Sequence, residues 1–260
     1  MLFDDLMSGV IVWGVLLAML GIVLVSLEMG YRLGRYRHRC TDREKEAPVS
    51  QIVAATLGLL AFLLAFTFSL AASRFEIRRQ LALQEANAIG TAWLRAGLLP
   101  EPEDIASRAL LHDYVVVRLT AARTEDLTTA IRESEALHQQ LWTHAEQAVQ
   151  LNDSMVRTGL YIQALNDVID THSERIILSA RNRIPAIIWI ALLGETVLAM
   201  AVMGYHAGLT GTTRSWASLV IALAFSGVIV LIVDLDNPSK GLIQTSQQAL
   251  IDVQAMMEPH

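Results

Sequence analysis

The chain has 260 residues, of which 53% are apolar and 18% are charged, and its formal net charge is −6. Its mean hydropathy is +0.41. This composition excludes a disordered chain and a soluble enzyme of ordinary composition, and the acidic balance excludes nucleic acid as a partner. A single cysteine, Cys40, allows no disulfide within the chain.

Four uncharged or nearly uncharged runs predict transmembrane helices at about 10–27, 52–72, 184–204 and 216–233. A hydrocarbon core of about 30 Å takes about 20 helical residues, so each run is long enough to cross it. The runs divide the chain into a first transmembrane hairpin (1–72), an extramembrane segment (73–183), a second transmembrane hairpin (184–235) and a C-terminal tail (236–260). We therefore predict an integral membrane protein that has the lipid bilayer as its first partner.

The segment 73–183 is predicted to be helical, because it has only two prolines, Pro100 and Pro102, and no sequence typical of a β-hairpin. Apolar seams at three- and four-residue steps run from Ile105 to Leu119, from Leu127 to Ala145 and from Ile162 to Ile176. Breaks are expected at 98–104, 123–126 and 151–154. The second span is expected to continue into this segment as one long helix. The last helix of the segment is expected to run into Pro185 and the third span in the same way. The predicted fold class is an all-α membrane protein with two transmembrane hairpins and an antiparallel helical bundle between spans 2 and 3.

The distribution of basic residues predicts the orientation. The first connecting loop holds six basic residues: Arg32, Arg35, Arg37, Arg39, Arg43 and Lys45. Arginines also flank the spans on the side of residues 73–183, but long segments are translocated largely regardless of charge. We therefore expect a multi-pass membrane protein with Cys40 in the cytoplasm and with the bundle and both termini on the opposite side of the membrane.

Three seam histidines raise the question of a metal site. His112, His138 and His172 lie on three different predicted helices. At about 1.5 Å per residue, His172 is expected roughly 10–15 Å below the other two, whereas metal ligands must lie within about 2 Å of one ion. The three are therefore interpreted as buried, hydrogen-bonded side chains, and no metal, cofactor or catalytic residue is expected.

Glu195 lies near the middle of the third predicted span. A carboxylate at this depth costs a few kcal/mol in a bilayer, so it should face a partner or water. One interpretation is an ion or proton site. The other is a protonated or hydrogen-bonded carboxyl group that contacts Thr67 or Ser69 of a neighbouring helix. Both interpretations predict that Glu195 faces the protein.

Hydroxyl and guanidinium groups occur together where the second span leaves the membrane. Ser69 and Ser73 share one helix face, while Arg74 and Arg78 lie one turn apart on another. In an oligomer these arginines would form a ring that concentrates anions at a pore mouth. Alternatively, they extend to lipid headgroups, as arginines at a membrane edge often do.

Residues 63–102, together with the stretch LDNPSKG at 235–241, carry a family resemblance. The serine–arginine pair Ser73–Arg74, the EANAI segment with Glu85 and Asn87, and the later motif with Asp236, Pro238 and Gly241 resemble the bestrophin-like family of bacterial membrane proteins. The resemblance implies four spans over essentially the whole chain and a location in a bacterial inner membrane. With the orientation expected from charge, the bundle would then lie in the periplasm. True bestrophins are pentameric anion channels with a cytosolic helical domain, which is the opposite of the orientation expected from charge.

Two functions follow as hypotheses. The first is a homo-oligomeric ion channel, selective for anions if Arg74 and Arg78 line its mouth, with inorganic ions as partners. The alternative is a membrane-anchored helical sensor or assembly module. Neither is an enzyme.

Overall fold

The computed structural model describes residues 2–40, 46–124, 126–151, 154–181, 183–211, 216–237, 243 and 245–258. Every regular element in these ranges is an α-helix. The helices are α1 (Leu2–Cys40), α2 (Glu46–Ala96), α3 (Glu103–Thr124), α4 (Leu127–Gln150), α5 (Met155–Arg181), α6 (Ala186–Leu209), α7 (Trp216–Asp236) and α8 (Gln248–Met257).

Four helices are long and apolar enough to cross a membrane, over Trp13–Arg39, Pro48–Ala96, Ala186–Leu209 and Leu219–Asp236. They coincide with the four predicted spans, so the chain is an all-helical membrane protein. The second of these helices is continuous over 51 residues, as its sequence predicts. The chain divides into two compact units: 1–75 with 183–244 (the membrane unit), and 76–182 with 245–260 (the bundle unit).

In the membrane unit, α1 and α6 pack backbone to backbone through two glycine pairs. A Cβ atom on Gly30 would collide with the carbonyl oxygen of Ala201, and one on Gly204 with that of Leu27. One turn further on, Gly34 meets the carbonyl group of Tyr205 and Gly208 meets that of Tyr31. Because contacts advance in the same direction on both helices, α1 and α6 run parallel, in the manner of glycine-mediated helix pairs in membranes.

The first part of α2 packs against α6 and α7 through larger side chains. Its buried contributors are Leu60, Leu64 and Ala71, which belong to one apolar core with Leu192, Met200, Ile229 and Ile232. This core is built from side chains, whereas the contact between α1 and α6 brings backbone atoms together.

The bundle unit has its own apolar core, formed by the last part of α2 with α3, α4, α5 and α8. The largest fully buried side chains there are Ile89, Leu111, Tyr114, Leu141, Tyr161, Leu165 and Leu250. The helix breaks fall where the sequence predicts them. Asp126 ends the α3–α4 break by accepting a hydrogen bond from the Thr129 N–H at 3.1 Å, which caps α4.

Three local expectations differ from the structure. The helix that ends at Arg181 does not run into α6, because Pro185 restricts the backbone before it and forms the N-terminal boundary of α6. The α3 seam is wrong: Ile105 is 63% exposed, and the buried face instead carries Glu103 and Ser107. Finally, the segment treated as a tail contains α8, whose Leu250 belongs to the bundle core.

Candidate functional site

The first part of α2 has two contrasting faces. One face is fully packed and carries Leu60, Leu64, Thr67 and Ala71. The opposite face is exposed: Phe62 is 66% and Phe66 is 53% exposed, and Ser69 and Ser73 follow on the same side one and two turns later. A pair of aromatic rings followed by a pair of hydroxyl groups therefore lies along one side of a membrane helix.

Glu195 makes no hydrogen bond to a described residue through Oε1, and the two hydroxyl groups considered as its partners lie in other environments. Thr67 is buried, and its hydroxyl donates to the Leu63 carbonyl of its own helix at 2.7 Å. Ser69 is exposed. Glu195 is half-buried on α6, and in the described part of the chain its Oε1 is buried with no hydrogen-bond partner. A hydrogen bond between this oxygen and Thr67 or Ser69, which was one of the two interpretations of Glu195, is therefore absent from the described residues.

Arg74 lies on the packed side of α2 and not on the exposed serine face. Its side chain is 17% exposed, and Nη1 lies 3.7 Å from Oδ1 of Asp236 at the end of α7. The same carboxylate accepts hydrogen bonds from the Ile184 N–H at 3.1 and 3.3 Å. Asp236 therefore ties the exit of α2 to the backbone just before α6.

The remaining candidate residues and the acidic neighbour of Asp236, Asp234, lie in different environments. Asp234 is buried, and its carboxylate accepts a hydrogen bond from the Ile243 N–H at 3.0 Å. Arg78 is half-buried and has an interaction partner, whereas Asn87 is exposed on α2. Two further motif residues, Pro238 and Gly241, lie outside the described residues.

A buried charge cluster occupies the bundle unit, and Glu85 of α2 is its centre. The Glu85 side chain is fully buried. Its carboxylate accepts a hydrogen bond from the Tyr114 hydroxyl of α3 at 2.7 Å and lies 3.0 Å from Nε of Arg118 on the same helix. Arg175 of α5 donates to the other carboxylate oxygen. One acidic side chain thus meets two guanidinium groups that are 9% and 19% exposed.

The hydrogen bonds of this cluster fix the tautomer of His172. Nδ1 of His172 lies 3.0 Å from the Tyr114 hydroxyl. The Tyr114 hydroxyl has one proton, which it donates in its hydrogen bond to Glu85. Nδ1 must therefore carry a proton and donate a hydrogen bond to the tyrosine oxygen. Burial raises the pKa of Tyr114 well above its ordinary value, and the Glu85 carboxylate raises it further. Tyr114 therefore stays a donor at physiological pH.

Two of the three seam histidines touch, which contradicts the predicted separation. The His138 and His172 ring centroids are 4.9 Å apart with perpendicular planes, and His138 lies 4.9 Å from the Tyr114 ring. Burial, with a smaller contribution from His172, lowers the pKa of His138 to about 4. His112 is half-buried, with Nδ1 3.7 Å from Asp113. The predicted separation was wrong because it counted residues from the helix ends and assumed that those ends lie at the same level.

Sequence reasoning identified Glu85 only through a family motif and missed three of its partners, Tyr114, Arg118 and Arg175. Tyr114 and Arg118 are one turn apart on α3, a spacing that could have marked a polar stripe on the buried face. Among the described residues, no group of three or more His, Cys, Asp or Glu side chains could hold a metal ion. The contacts within the cluster are ion pairs and hydrogen bonds.

The similarity to known proteins extends over nearly the full chain. A family model described as a bestrophin-like domain matches residues 11–250. Two structures of variants of a bacterial bestrophin homologue from Klebsiella pneumoniae are each 16% identical, with TM-scores of 0.69 and 0.68. They cover 94% and 93% of this chain and 96% and 98% of their own. A crystal structure of a membrane protein is 15% identical with a TM-score of 0.67, covering 94% of this chain and 98% of its own. No curated protein matches.

Proposed function

The chain belongs to the bestrophin-like family, and on that premise we propose that it is a homo-oligomeric ion channel whose pathway follows the exposed face of α2. The resemblance to bestrophins, which are pentameric anion channels, supports this class of function. The two-sided character of α2 supports the location of the pathway.

The observation that carries the proposal is the order of side chains on that face. Copies of the chain arranged around an axis with this face inward would place rings of Phe62 and Phe66 next to rings of Ser69 and Ser73. Narrow apolar rings gate channels by expelling water, and hydroxyl rings replace part of an ion's hydration shell. If this face contacted lipid instead, the two serine hydroxyl groups would have no ion or water to bind.

We propose that Arg74 and Arg78 favour anions through their field and not by direct contact with the ion. Arg74 is paired with Asp236 and mostly buried, and it lies on a different side of α2 from the serines. A charge near a low-dielectric wall still raises the local concentration of counter-ions. The expected anion preference is accordingly moderate.

Current recordings in planar bilayers test the pathway. In a Cys40→Ser background, we expect the variants Ser69→Cys and Ser73→Cys to lose current when a charged, membrane-impermeant methanethiosulfonate reagent is added. The matched control is Val25→Cys, because Val25 is 58% exposed and belongs to a different membrane helix, α1. The control should keep its current.

Two results would count against the proposal. Unchanged currents in both serine variants, with labelling verified by mass spectrometry, would remove this face from the pathway. A wild-type protein that carries no current at all would favour the alternative of a sensor or assembly module.

A further inference from the structure

The glycine contacts between α1 and α6 fix the levels of these two helices relative to each other. Each helix carries the sequence Met-Gly-Tyr-x-x-Gly, at residues 29–34 in α1 and 203–208 in α6. Gly204 packs against Leu27 and Tyr31, and Gly34 packs against Tyr205. The two tyrosines therefore lie near one level, and paired tyrosines at span ends are typical of the membrane–water interface.

Beyond that level, α1 continues as a helix through a basic stretch, residues 32–39, here called the basic turns. The uncharged run of α1 ends at Leu27, so the basic turns begin about 7 Å and end about 18 Å further along the axis. The headgroup layer on each side of a bilayer is about 5–8 Å thick. The first turn lies in that layer, and the long arginine side chains of the next can reach back to it.

The basic turns present their charges to the outside. Arg32, Arg35, Arg37 and Arg39 are all exposed. Arg32 pairs with Glu28 of its own helix at 2.8 Å, whereas the other three make no ion pair with any described residue. Between them, Leu33 is 57% and Tyr36 is 66% exposed. Exposed cationic side chains thus alternate with exposed apolar ones.

We propose that the basic turns are a binding surface for the phosphodiester headgroups of anionic phospholipids. Positive charge at this position is a local feature, because the whole chain carries a net charge of −6. Juxtamembrane clusters of four or more arginines attract anionic lipids, and neighbouring aromatic and aliphatic side chains insert at the headgroup boundary. The guanidinium group also forms paired hydrogen bonds with phosphate oxygens. This inference does not depend on conduction.

The single cysteine at the end of α1 offers a reporter for the test. The full-length protein is labelled at Cys40 with a donor fluorophore and reconstituted into nanodiscs of phosphatidylcholine with increasing phosphatidylglycerol. A trace of headgroup-labelled phosphatidylglycerol is the energy acceptor. We expect transfer to exceed the value for random mixing and to fall as unlabelled phosphatidylglycerol competes. Headgroup-labelled phosphatidylcholine should show only random mixing.

The variant R35Q/R37Q/R39Q should lose this enrichment. Each arginine near an anionic surface contributes about fivefold to binding, so three contribute on the order of a hundredfold. At trace phosphatidylglycerol, the energy transfer above random mixing should then fall at least tenfold. The matched control is R132Q/R157Q, which removes two exposed arginines from α4 and α5 of the bundle unit and should behave as wild type. Circular dichroism verifies that the variants remain helical.

Salt and soluble phosphate separate the outcomes. About 0.5 M salt should reduce the enrichment, because the Debye length is then only a few ångströms. Competition by millimolar inorganic phosphate at constant ionic strength would assign the surface to a free anion and overturn the lipid assignment. Equal energy transfer from both labelled lipids, or an unchanged result in the triple variant, would also overturn it. Channel activity is not a readout, so a failure here leaves the proposed pathway untouched.

Discussion

Replacing Glu85 with glutamine should destabilise the bundle unit strongly, although the two side chains are nearly equal in shape. The glutamine oxygen can still accept the hydrogen bond from the Tyr114 hydroxyl. It carries no charge, however, and the partly buried guanidinium groups of Arg118 and Arg175 then lack their anionic partner. Removing one partner of a buried ion pair costs about 3–5 kcal/mol, because the other charge remains desolvated.

The size of the effect can be stated as a melting temperature. For chains of 150–250 residues, 1 kcal/mol shifts the midpoint by about 2–4 °C, so Glu85→Gln should lower it by about 6–20 °C. Thermal unfolding in detergent, followed by circular dichroism at 222 nm, measures the shift. Hydrogen exchange should also increase in α3 and α5, whose side chains hold the carboxylate.

A control on the same helix and a double variant make this prediction specific. Asn87→Ala changes an exposed residue two positions away and should leave the midpoint within about 1–2 °C. Adding Arg175→Gln to Glu85→Gln should cost less than the sum of the two single changes, because the second removes a charge that the first left unpaired. Charge pairing does not hold the cluster if Glu85→Gln has the same melting midpoint as Asn87→Ala. The same conclusion follows if the stability losses of Glu85→Gln and Arg175→Gln are fully additive.

Four further predictions concern pH, conduction and orientation. Because the folded-state pKa of His138 is about 4 and its ordinary value is 6.5, the unfolded chain takes up a proton first. Stability should therefore fall by about 3 kcal/mol as pH drops from 6.5 to 4, and denaturant titrations of His138→Leu should show a flatter profile there. Changing Arg74 and Arg78 together to glutamate should reduce or reverse anion preference, measured as the reversal potential across a salt gradient; an unchanged potential would remove both from selectivity. Glu195→Gln should alter the size of the current and leave the reversal potential unchanged, and a shifted reversal potential would contradict this separation. A membrane-impermeant maleimide should not label Cys40 in intact cells; labelling would invert the orientation and agree with the cytosolic domain of bestrophins.

Local features of the sequence determined most of the helical architecture. Span length follows from the bilayer thickness, so the four apolar runs could be read directly from hydropathy. The continuous α2 follows from the absence of proline or glycine pairs at its exit from the second apolar run. The ends of α3 and α4 lie beside polar residues that favour caps, such as Asp126. These signals act over a few residues and need no partner elsewhere in the chain.

The sequence also contained the information for the α1–α6 contact, but in a form that only the fold made visible. Two copies of Met-Gly-Tyr-x-x-Gly lie 174 positions apart, and neither is unusual for a membrane helix. Their meaning comes from the parallel approach that brings Gly30 and Gly204 against each other's helices. The close approach depends on the absence of a Cβ on both sides at once.

The tertiary structure alone decided which polar side chains meet. Glu85 and Arg175 are separated by 90 positions and belong to different helices, so no spacing rule connects them. Arg74 and Asp236 likewise belong to two different helices, α2 and α7, and their pairing turns an expected pore-mouth charge into a mostly buried one. The height of each helix in the bundle set the 4.9 Å contact between His138 and His172. These pairings arise because packing of the apolar faces fixes the rotation and height of each helix. The same packing determines which charged groups are buried next to each other.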